Sequence, residues 1–280
     1  MPTVLTDFSA PTLVSAIKAN WAEYYTYLGR APGSELSVGP HLTWCLTGVP
    51  DPFLNVVFRT RLPTAGADEL IGATLAHFKA WQVECCTWWA EAESVCPRLD
   101  QYLIRHGLTF EAGGMGMAAD LTALPADVPR PAGLTIQSVE DGAAWRAWVQ
   151  VMRLGFGLPE RGEPRLYELF AALAGAVPLQ SYLARLNGRP VGTAQVFLAA
   201  GVAGVYQVTC LAEVRRQGIG AAVTWVALQG ARAAGYRIGI LQASEQGHGV
   251  YQRLGFQDYG RLSQYVWVSE TQPREEDYQS

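Results

Sequence analysis

Cysteine and histidine are scarce in this sequence of 280 residues, and neither is spaced for a metal site or a disulfide framework. The five cysteines contain no C-x-x-C pair, and the neighbouring Cys85 and Cys86 cannot easily bridge each other. The four histidines show no spacing typical of metal ligands. The sequence therefore predicts a reduced, cytoplasmic protein that binds no metal.

An excess of positive charge and a long apolar run are also missing. The chain has 21 basic and 25 acidic residues, and this net charge of −4 gives no support for nonspecific binding of nucleic acid. No apolar run reaches membrane-spanning length, and no signal peptide is visible. We therefore expect neither a nucleic acid nor a membrane as a partner. The oligomeric state is not encoded in any pattern that we can read.

The length and composition of the chain are typical of a globular protein that can form two domains. Hydrophobic residues make up 49% of the chain, which is enough for a sizeable core. Three prolines in the stretch 121–133 separate two patterned regions. We predict one domain over residues 1–127, a second over 128–269, and a flexible, polar and acidic tail over 270–280.

The second half alternates between strand-like and helix-like patterns. The order of predicted elements is one strand, two helices, three strands, a helix, a strand, a helix and two strands. This order predicts an α/β fold of mixed β-sheets flanked by helices. The predicted elements are 134–139, 141–156, 166–175, 181–186, 191–199, 204–211, 221–235, 238–244, 248–254, 256–260 and 262–269.

The first half resembles a reduced copy of the same plan. IRHGLTF (104–110) aligns with RLGFQ (253–257) when both are counted from their glycine, and a predicted helix precedes each. GMAADLTAL (116–124) then matches LSQYVWVS (262–269). We therefore expect an internal duplication, with the fold present twice.

One segment of the second half, RRQGIGAA (215–222), carries the clearest signal for a ligand. A β-branched strand ends just before it, and a long helix begins at it. Its glycines leave the first backbone N–H groups of the helix uncovered, and such a helix start attracts an anion such as pyrophosphate. A P-loop is excluded because no Gly-Lys-Ser/Thr follows, and a dinucleotide site is excluded because Val223 takes the place of the third glycine.

The pattern R-x-x-G-x-G at a strand-to-helix junction resembles the acyl-CoA site of the GNAT superfamily of N-acyltransferases. The resemblance extends from about Leu134 to Val268 and rests on three parts in the right order: VTCL with RRQGIGAA (208–222), ILQAS (240–244) and VYQRLGF (250–256). It implies an enzyme that transfers an acyl group, most simply from acetyl-CoA, to a primary amine of a small molecule or peptide. The amine would attack directly in a ternary complex. The alternative is an acyl-CoA-binding sensor or scaffold without chemistry.

The resemblance also assigns roles to particular residues. It places the pantetheine arm of the cofactor on the exposed backbone of Val208, Thr209 and Cys210, in a strand that splays from its neighbour. It matches Tyr251 to the general acid that protonates the leaving thiolate. It places the pyrophosphate on backbone amides of the turn, with Arg215 opening the motif. The residues of that turn are Arg216, Gln217, Gly218, Ile219, Gly220 and Ala221.

Three further residues lie near the motif, and one of them has two interpretations. Arg253 is either a contact to a cofactor phosphate or a solvated helix arginine. Ser244 stands where many relatives carry an asparagine, as a substitute hydrogen-bond donor. Cys210 is expected to be a small buried residue and not a nucleophile.

The general base and the acceptor site stay open. The candidates for removing the amine proton are Glu213, Glu245, His248 and a chain of water molecules. Three side chains either line an apolar wall of the acceptor pocket or pack in the core: Phe156, Leu158 and Tyr167.

The first half lacks both parts of this chemistry. RTRLPTAGA (59–67) is its nearest basic stretch and has no glycine pair. Leu103 stands where Tyr251 stands in the second half. We therefore predict that the first half does not bind CoA.

Overall fold

A computed structural model of the chain describes residues 3–90, 96–175 and 177–269. The predicted tail over 270–280 lies outside these residues. Within the described ranges, no helix is both long and apolar enough to cross a membrane.

The same succession of elements occurs twice along the chain. The first half contains α1 (Ala10–Leu28), β1 (Glu35–Val38), β2 (Thr43–Leu46), β3 (Asn55–Phe58), α2 (Ala67–Ala80), β4 (Cys85–Ala90), α3 (Leu99–Arg105) and β5 (Thr109–Asp120). The second half contains β6 (Leu134–Ser138), α4 (Gly142–Phe156), α5 (Glu163–Ala172), β7 (Leu179–Leu186), β8 (Arg189–Ala199), β9 (Val202–Cys210), α6 (Ile219–Ala233), β10 (Ile238–Ala243), α7 (Glu245–Arg253) and β11 (Gln257–Val268). The run from β1 to β5 repeats the order of the run from β7 to β11. The predicted α/β class is confirmed.

Local sequence signals account for most element boundaries in the second half. The Asp141 side chain accepts a hydrogen bond from the backbone N–H of Ala144 at 2.8 Å, so it caps α4 as the sequence predicts. Asn187 and Gly188 both take positive φ values, +50° and +82°, in the predicted hairpin turn between β7 and β8. One prediction was wrong. The two closing strands predicted at 256–260 and 262–269 form the single strand β11.

The chain divides into two compact units, and the division differs from the boundary predicted at residues 127 and 128. The larger unit holds the N-terminal residues up to 27 together with 114–261, and the smaller unit holds 28–113 and the residues from 262 onward. In the larger unit, β5 pairs antiparallel with β10. In the smaller unit, β11 pairs antiparallel with β4. The last strand of the first half, β5, therefore pairs with β10 of the second half, and the last strand of the second half, β11, pairs with β4 of the first. A single boundary in the sequence cannot describe this division.

Each unit is built around a mixed sheet. In the larger unit the strand order is β5-β10-β9-β8-β7-β6, and the pair β10 and β9 is parallel while the other pairs are antiparallel. In the smaller unit the order is β1-β2-β3-β4-β11, with β3 and β4 parallel. Trp88, Phe58 and Phe78 are fully buried in the smaller unit. These three aromatic side chains therefore contribute to the core of that unit.

Helix α1 is anchored on the sheet of the larger unit by a buried asparagine. The Asn20 amide nitrogen lies 3.2 Å from the carbonyl oxygen of Phe197, 2.9 Å from that of Ala199 and 3.4 Å from that of Val202. The Tyr206 hydroxyl donates to the Asn20 side-chain oxygen at 2.8 Å. Asn20 is fully buried, so these contacts replace the water that its amide loses on folding.

We expect Asn20→Ala to destabilise the protein by about 3 kcal/mol, because it leaves the Tyr206 hydroxyl and strand carbonyls unpaired in the interior. Urea unfolding followed by tryptophan fluorescence measures the loss. Glu23→Ala, an exposed position on the same helix, is the control and should change the free energy of unfolding by less than about 0.5 kcal/mol. Equal effects of the two substitutions would contradict the anchoring role of Asn20.

Candidate active site

Strands β9 and β10 run parallel but separate after a short contact. Their ladder ends at the pair formed by Gly204 and Ile240, whereas β9 continues to Cys210 and β10 to Ala243. Beyond that pair, β10 bonds to β5 on its other side, and 205–210 pairs with β8 alone among the described strands. The structure therefore places the three predicted pantetheine residues on an open strand edge.

A β-bulge bends β9 immediately before these residues. The register between β8 and β9 shifts between Thr193 and Gln195, and Gln207 takes a φ of +50°. The Thr193 hydroxyl donates to the Gln207 carbonyl oxygen at 2.8 Å, which holds the bulge. Such a bulge increases the local twist, so β9 turns away from β10. Sequence analysis missed Gln207, because nothing in its local sequence indicates a positive φ.

Helix α6 begins without a side-chain cap. Gly218 takes φ +83° as its first flanking residue, and Arg216 takes φ +62° two residues earlier. No described side chain accepts a hydrogen bond from the first N–H groups of this helix. A Cβ atom on Gly218 would lie 2.7 Å from the carbonyl oxygen of Pro129, so the turn requires glycine both for its φ and for space. The open N–H groups and the helix dipole make this turn a place for an anion.

The two arginines of the motif play different parts. Arg215 donates from Nη2 to the carbonyl oxygen of Gly155 at 2.9 Å and from Nε to that of Cys210 at 3.3 Å. It therefore ties the end of α4 to the end of β9, a role that the sequence did not indicate. Arg216 and Gln217 are exposed on the turn, where their side chains can reach a bound anion.

Tyr251 lies half-buried next to Cys210. Burial raises the pKa of the Tyr251 phenol, and the neighbouring Cys210 thiol raises that pKa further. The ring packs edge-on against Phe256 with centroids 6.0 Å apart. It also covers Gly247, where a Cβ atom would lie 2.9 Å from the ring. The phenol therefore stays protonated through the physiological pH range, as a proton donor must.

Cys210 is a half-buried thiol and not an activated one. Burial raises the pKa of the Cys210 thiol to about 11, although the Arg215 guanidinium acts in the opposite direction. Its sulfur lies over Gly220, where a Cβ atom would be 3.8 Å away. A thiol with this pKa carries almost no thiolate at neutral pH, so it lacks the nucleophilic form.

The remaining predicted cofactor residues lie on α7. The Ser244 hydroxyl accepts a hydrogen bond from the backbone N–H of Gly247 at 3.2 Å and so caps this helix. Its hydroxyl hydrogen is still able to donate. Arg253 is exposed in the last turn of the same helix, in keeping with either of its two interpretations.

The three side-chain candidates for the general base have different surroundings. The Glu213 carboxylate is exposed and pairs with Arg189 at 2.5 Å. A backbone hydrogen bond within its own residue lowers the pKa of Glu213 most, and the hydrogen bond and charge of Arg189 lower it further. His248 pairs with Asp258 at 2.8 Å, and Glu245 is exposed in the first turn of α7. Each carboxylate or imidazole has a partner or solvent, and all four alternatives for the base stay predictions.

The three residues weighed for the acceptor pocket lie near different ends of α4. Phe156 lies at the C-terminal end of α4 and is 46% exposed, with Leu158 two residues beyond it. Tyr167 instead packs by the start of α4, where its hydroxyl approaches Gly142 and its ring contacts Arg146. The 15 residues of α4 separate these positions by about 20 Å. Phe156 and Tyr167 therefore lie at opposite ends of α4, and the choice between an apolar wall and core packing stays a prediction for each residue.

The smaller unit keeps the backbone turn but places negative charge on it. Gly66 takes φ +85° before α2, as Gly218 does before α6, and again no described side chain caps the helix. Asp68 and Glu69 occupy the first turn of α2, where they oppose a bound anion. The sequence does not reveal this turn, because no pair of glycines marks it. A single glycine is enough for the φ value.

The gap between the parallel strands is also closed in the smaller unit. The ladder of β3 and β4 ends at Val57 and Trp88. Just beyond it, the Thr60 hydroxyl donates to the carbonyl oxygen of Trp89 at 3.3 Å and accepts from the Trp88 indole N–H at 3.1 Å. These side chains are buried and fill the space between β3 and β4. The corresponding space between β9 and β10 of the larger unit stays open.

Residues 145–256 match the model of the acetyltransferase (GNAT) family, so the larger unit contains a GNAT acetyltransferase domain. The resemblance seen in the sequence is thereby confirmed, as is the expectation of an acyltransferase enzyme. No curated protein matches the sequence.

Solved structures with the same fold cover nearly the whole chain. A GCN5-related N-acetyltransferase from Kribbella flavida is 22% identical, with a TM-score of 0.66 over 92% of this chain and 96% of its own. A GCN5-related N-acetyltransferase from Sphaerobacter thermophilus is 18% identical, with a TM-score of 0.58 over 95% and 94%. A tandem GNAT protein from the clavulanic acid biosynthesis pathway is 16% identical, with a TM-score of 0.55 over 97% and 99%. At these identities the similarity concerns the fold.

We expect alkylation of Cys210 by iodoacetamide to accelerate about tenfold per pH unit from pH 8 to pH 10, because burial keeps its thiol protonated up to a pKa of about 11. Peptide mass spectrometry measures the rate at this cysteine alone. A short cysteine peptide in the same solution is the control and should level off near its ordinary pKa of about 8.5. A plateau for Cys210 at that lower pH would contradict the assignment of an unactivated thiol.

Proposed function

We propose that the larger unit transfers the acyl group of acyl-CoA, in the first place acetyl, to a primary amine of a small molecule or peptide in the cytoplasm. The observation that carries the proposal is the open edge of β9, which leads directly into the uncapped start of α6. A strand edge and a helix start in this order offer hydrogen bonds to an extended amide chain and charge to a pyrophosphate. Acetyl-CoA contains both groups in the same order.

In this proposal the backbone does most of the binding. The pyrophosphate lies on the amides of residues 216–221, with Arg216 on its exposed side. The pantetheine arm runs from there along Val208 to Cys210 and pairs with the unpaired strand edge. Its thioester end then lies toward the bulge, because the arm extends away from the pyrophosphate. Backbone N–H groups at this edge polarise the thioester carbonyl when the tetrahedral intermediate forms.

The chemistry needs an amine at the thioester carbon and a proton at the leaving sulfur. The amine attacks directly, the carbon–sulfur bond breaks, and the phenol of Tyr251 donates its proton to the CoA thiolate. The pKa of Tyr251 is raised by burial, so the phenol enters the reaction protonated. The amine loses its own proton to water. Holding both reactants in one complex contributes the larger part of the rate enhancement.

One acyl-CoA is proposed for each chain. The carboxylates at the start of α2 and the Thr60 contacts between β3 and β4 speak against a second molecule in the smaller unit. The smaller unit is therefore proposed to have no part in cofactor binding.

We expect calorimetry to give one acetyl-CoA per chain, and Gly218→Ala to weaken that binding at least about tenfold. An alanine at this position is strained at φ +83° and meets the Pro129 carbonyl, so the turn must shift. Gly235→Ala is the matched control, because it puts the same type of strain at the other end of α6 with nothing within 4 Å. No binding of acetyl-CoA or a longer acyl-CoA to the wild-type protein would overturn the proposed function.

We expect Tyr251→Phe to lower kcat by about 100-fold or more while the Kd for acetyl-CoA stays within twofold, because only the proton donor is lost. Thiol release with a panel of amines gives kcat, and calorimetry gives Kd. Tyr236→Phe removes a hydroxyl from another buried tyrosine of the larger unit and should leave both quantities unchanged. Binding without turnover by the wild type would instead indicate the sensor, and unchanged turnover in Tyr251→Phe would exclude this residue as the acid.

A further inference from the structure

A chain of hydrogen-bonded side chains leads from the interior of the larger unit to the bulge in β9. The amide nitrogen of Gln207 donates to the Tyr24 hydroxyl at 3.1 Å, and that hydroxyl donates to the side-chain oxygen of Gln195 at 3.1 Å. The Gln195 amide nitrogen in turn donates to the Ser181 hydroxyl at 2.9 Å. Tyr24 and Gln195 are fully buried and Ser181 is 5% exposed, whereas Gln207 is half-buried. The chain therefore begins in the core and ends at an accessible amide.

In this chain the Gln207 amide nitrogen is the inner end and its oxygen is the free end. The Tyr24 hydroxyl gives its one hydrogen to Gln195, so it can only accept from Gln207. The Gln207 amide nitrogen therefore points inward and its Oε1 points outward. No described donor bonds to that oxygen, and it is not among the buried polar atoms that lack a partner. It is thus an acceptor held in a defined direction and open to solvent.

The outward oxygen lies on the opposite face of the sheet from the proposed acid. Gln195 contacts Tyr24 of α1, whereas Gly192 of the same strand lies against Ile219 of α6. Because side chains alternate along a strand, α1 and α6 cover opposite faces. Cys210 pairs with Gly192 and so lies on the α6 face with its neighbour Tyr251. The Gln207 side chain, which bonds to α1, lies on the other face.

We propose that Gln207 binds the acceptor amine through Oε1, and that Tyr24 of α1 is the residue that positions it. The inference rests on the proposed acyl transfer, since it uses the thioester end at the bulge. The amine attacks the thioester carbon across one face of the planar carbonyl group, and Tyr251 is proposed to protonate the sulfur from the α6 face. In this proposal the amine arrives from the α1 face, where the Gln207 oxygen can accept one of its N–H hydrogens. The other hydrogen of a neutral primary amine leaves to water after attack.

The surroundings of Gln207 suit an orienting contact. Its nearest hydrogen-bonding neighbours, Tyr24 and Thr193, are neutral, and so is Gln195 behind them. A neutral acceptor orients the lone pair of the amine without competing for its proton. The rigid chain behind the amide also means that little side-chain entropy is lost when the amine binds.

The test compares Gln207→Met with the wild type, because methionine has a similar length and no amide. Probe amines are spermidine, glucosamine, tyramine and trialanine, each assayed with acetyl-CoA by thiol release. For the probe that the wild type acetylates best, we expect the KM for the amine to rise about tenfold, the value for one hydrogen bond to a polar partner. The Kd for acetyl-CoA, measured by calorimetry, should stay within twofold.

Two tyrosine variants separate positioning from stability. Tyr24→Phe removes the hydroxyl that holds the Gln207 amide, and we expect the KM for the amine to rise about threefold. Tyr206→Phe is the matched control, since its ring stacks on Tyr24 at 3.9 Å and its hydroxyl bonds to Asn20 instead. It removes a comparable hydrogen bond from the same interior but should leave that KM within twofold.

The outcomes distinguish this inference from the proposed function. If the wild type acetylates a probe amine and Gln207→Met has an unchanged KM for it, the assignment of Gln207 is overturned and the acyltransferase proposal stands. An equal rise in KM for Tyr24→Phe and Tyr206→Phe would overturn the positioning role of Tyr24. If the wild type binds acetyl-CoA but acetylates none of the four amines, both the proposed function and this assignment are overturned.

Discussion

Two parallel strands, β9 and β10, exchange backbone hydrogen bonds as far as Gly204 and Ile240 and then separate. The proposed cofactor site depends on this separation. Backbone N–H and C=O groups left without partners are costly unless water or a ligand reaches them. Contacts at both ends of the exposed part of β9 therefore keep it apart from β10. The bulge at Gln207 turns β9 away at one end, and Arg215 fastens the other end of β9 to the carbonyl of Gly155 in α4.

The smaller unit shows what the same succession of elements does when the gap is not held open. A hydroxyl from Thr60 joins the strands just past the end of their ladder, and the Trp88 indole covers it. The backbone turn before the following helix is present at Gly66, but Asp68 and Glu69 place two carboxylates in the first turn of that helix, where they oppose a bound anion. A left-handed glycine before a helix is therefore not sufficient for an anion site. The side chains of the first turn decide whether the dipole is left free for a ligand.

The sequence predicted the elements far better than their pairing. Hydrophobic periodicity, Asp141 as a cap and the Asn187-Gly188 turn are local features, so they predict α4 and the hairpin between β7 and β8 within a few residues. The choice of β5 for β10 and of β11 for β4 depends on contacts between distant segments. Since the two halves follow one plan, their last strands carry similar patterns, and no local signal says which sheet each one joins. The packing of α1 in the larger unit was missed for the same reason.

The same limit applies to the site. The glycine turn at Gly218 and the tyrosine at position 251 could be found because a short stretch of chain builds each of them. The orientation of Gln207 could not, because it depends on a hydroxyl 183 residues away on α1. That helix comes from the first half of the sequence, yet it belongs to the compact unit that holds the open strand edge. The first half of the sequence can therefore lack an open anion site of its own and still supply a helix on which the open strand edge depends, since α1 holds the Gln207 side chain.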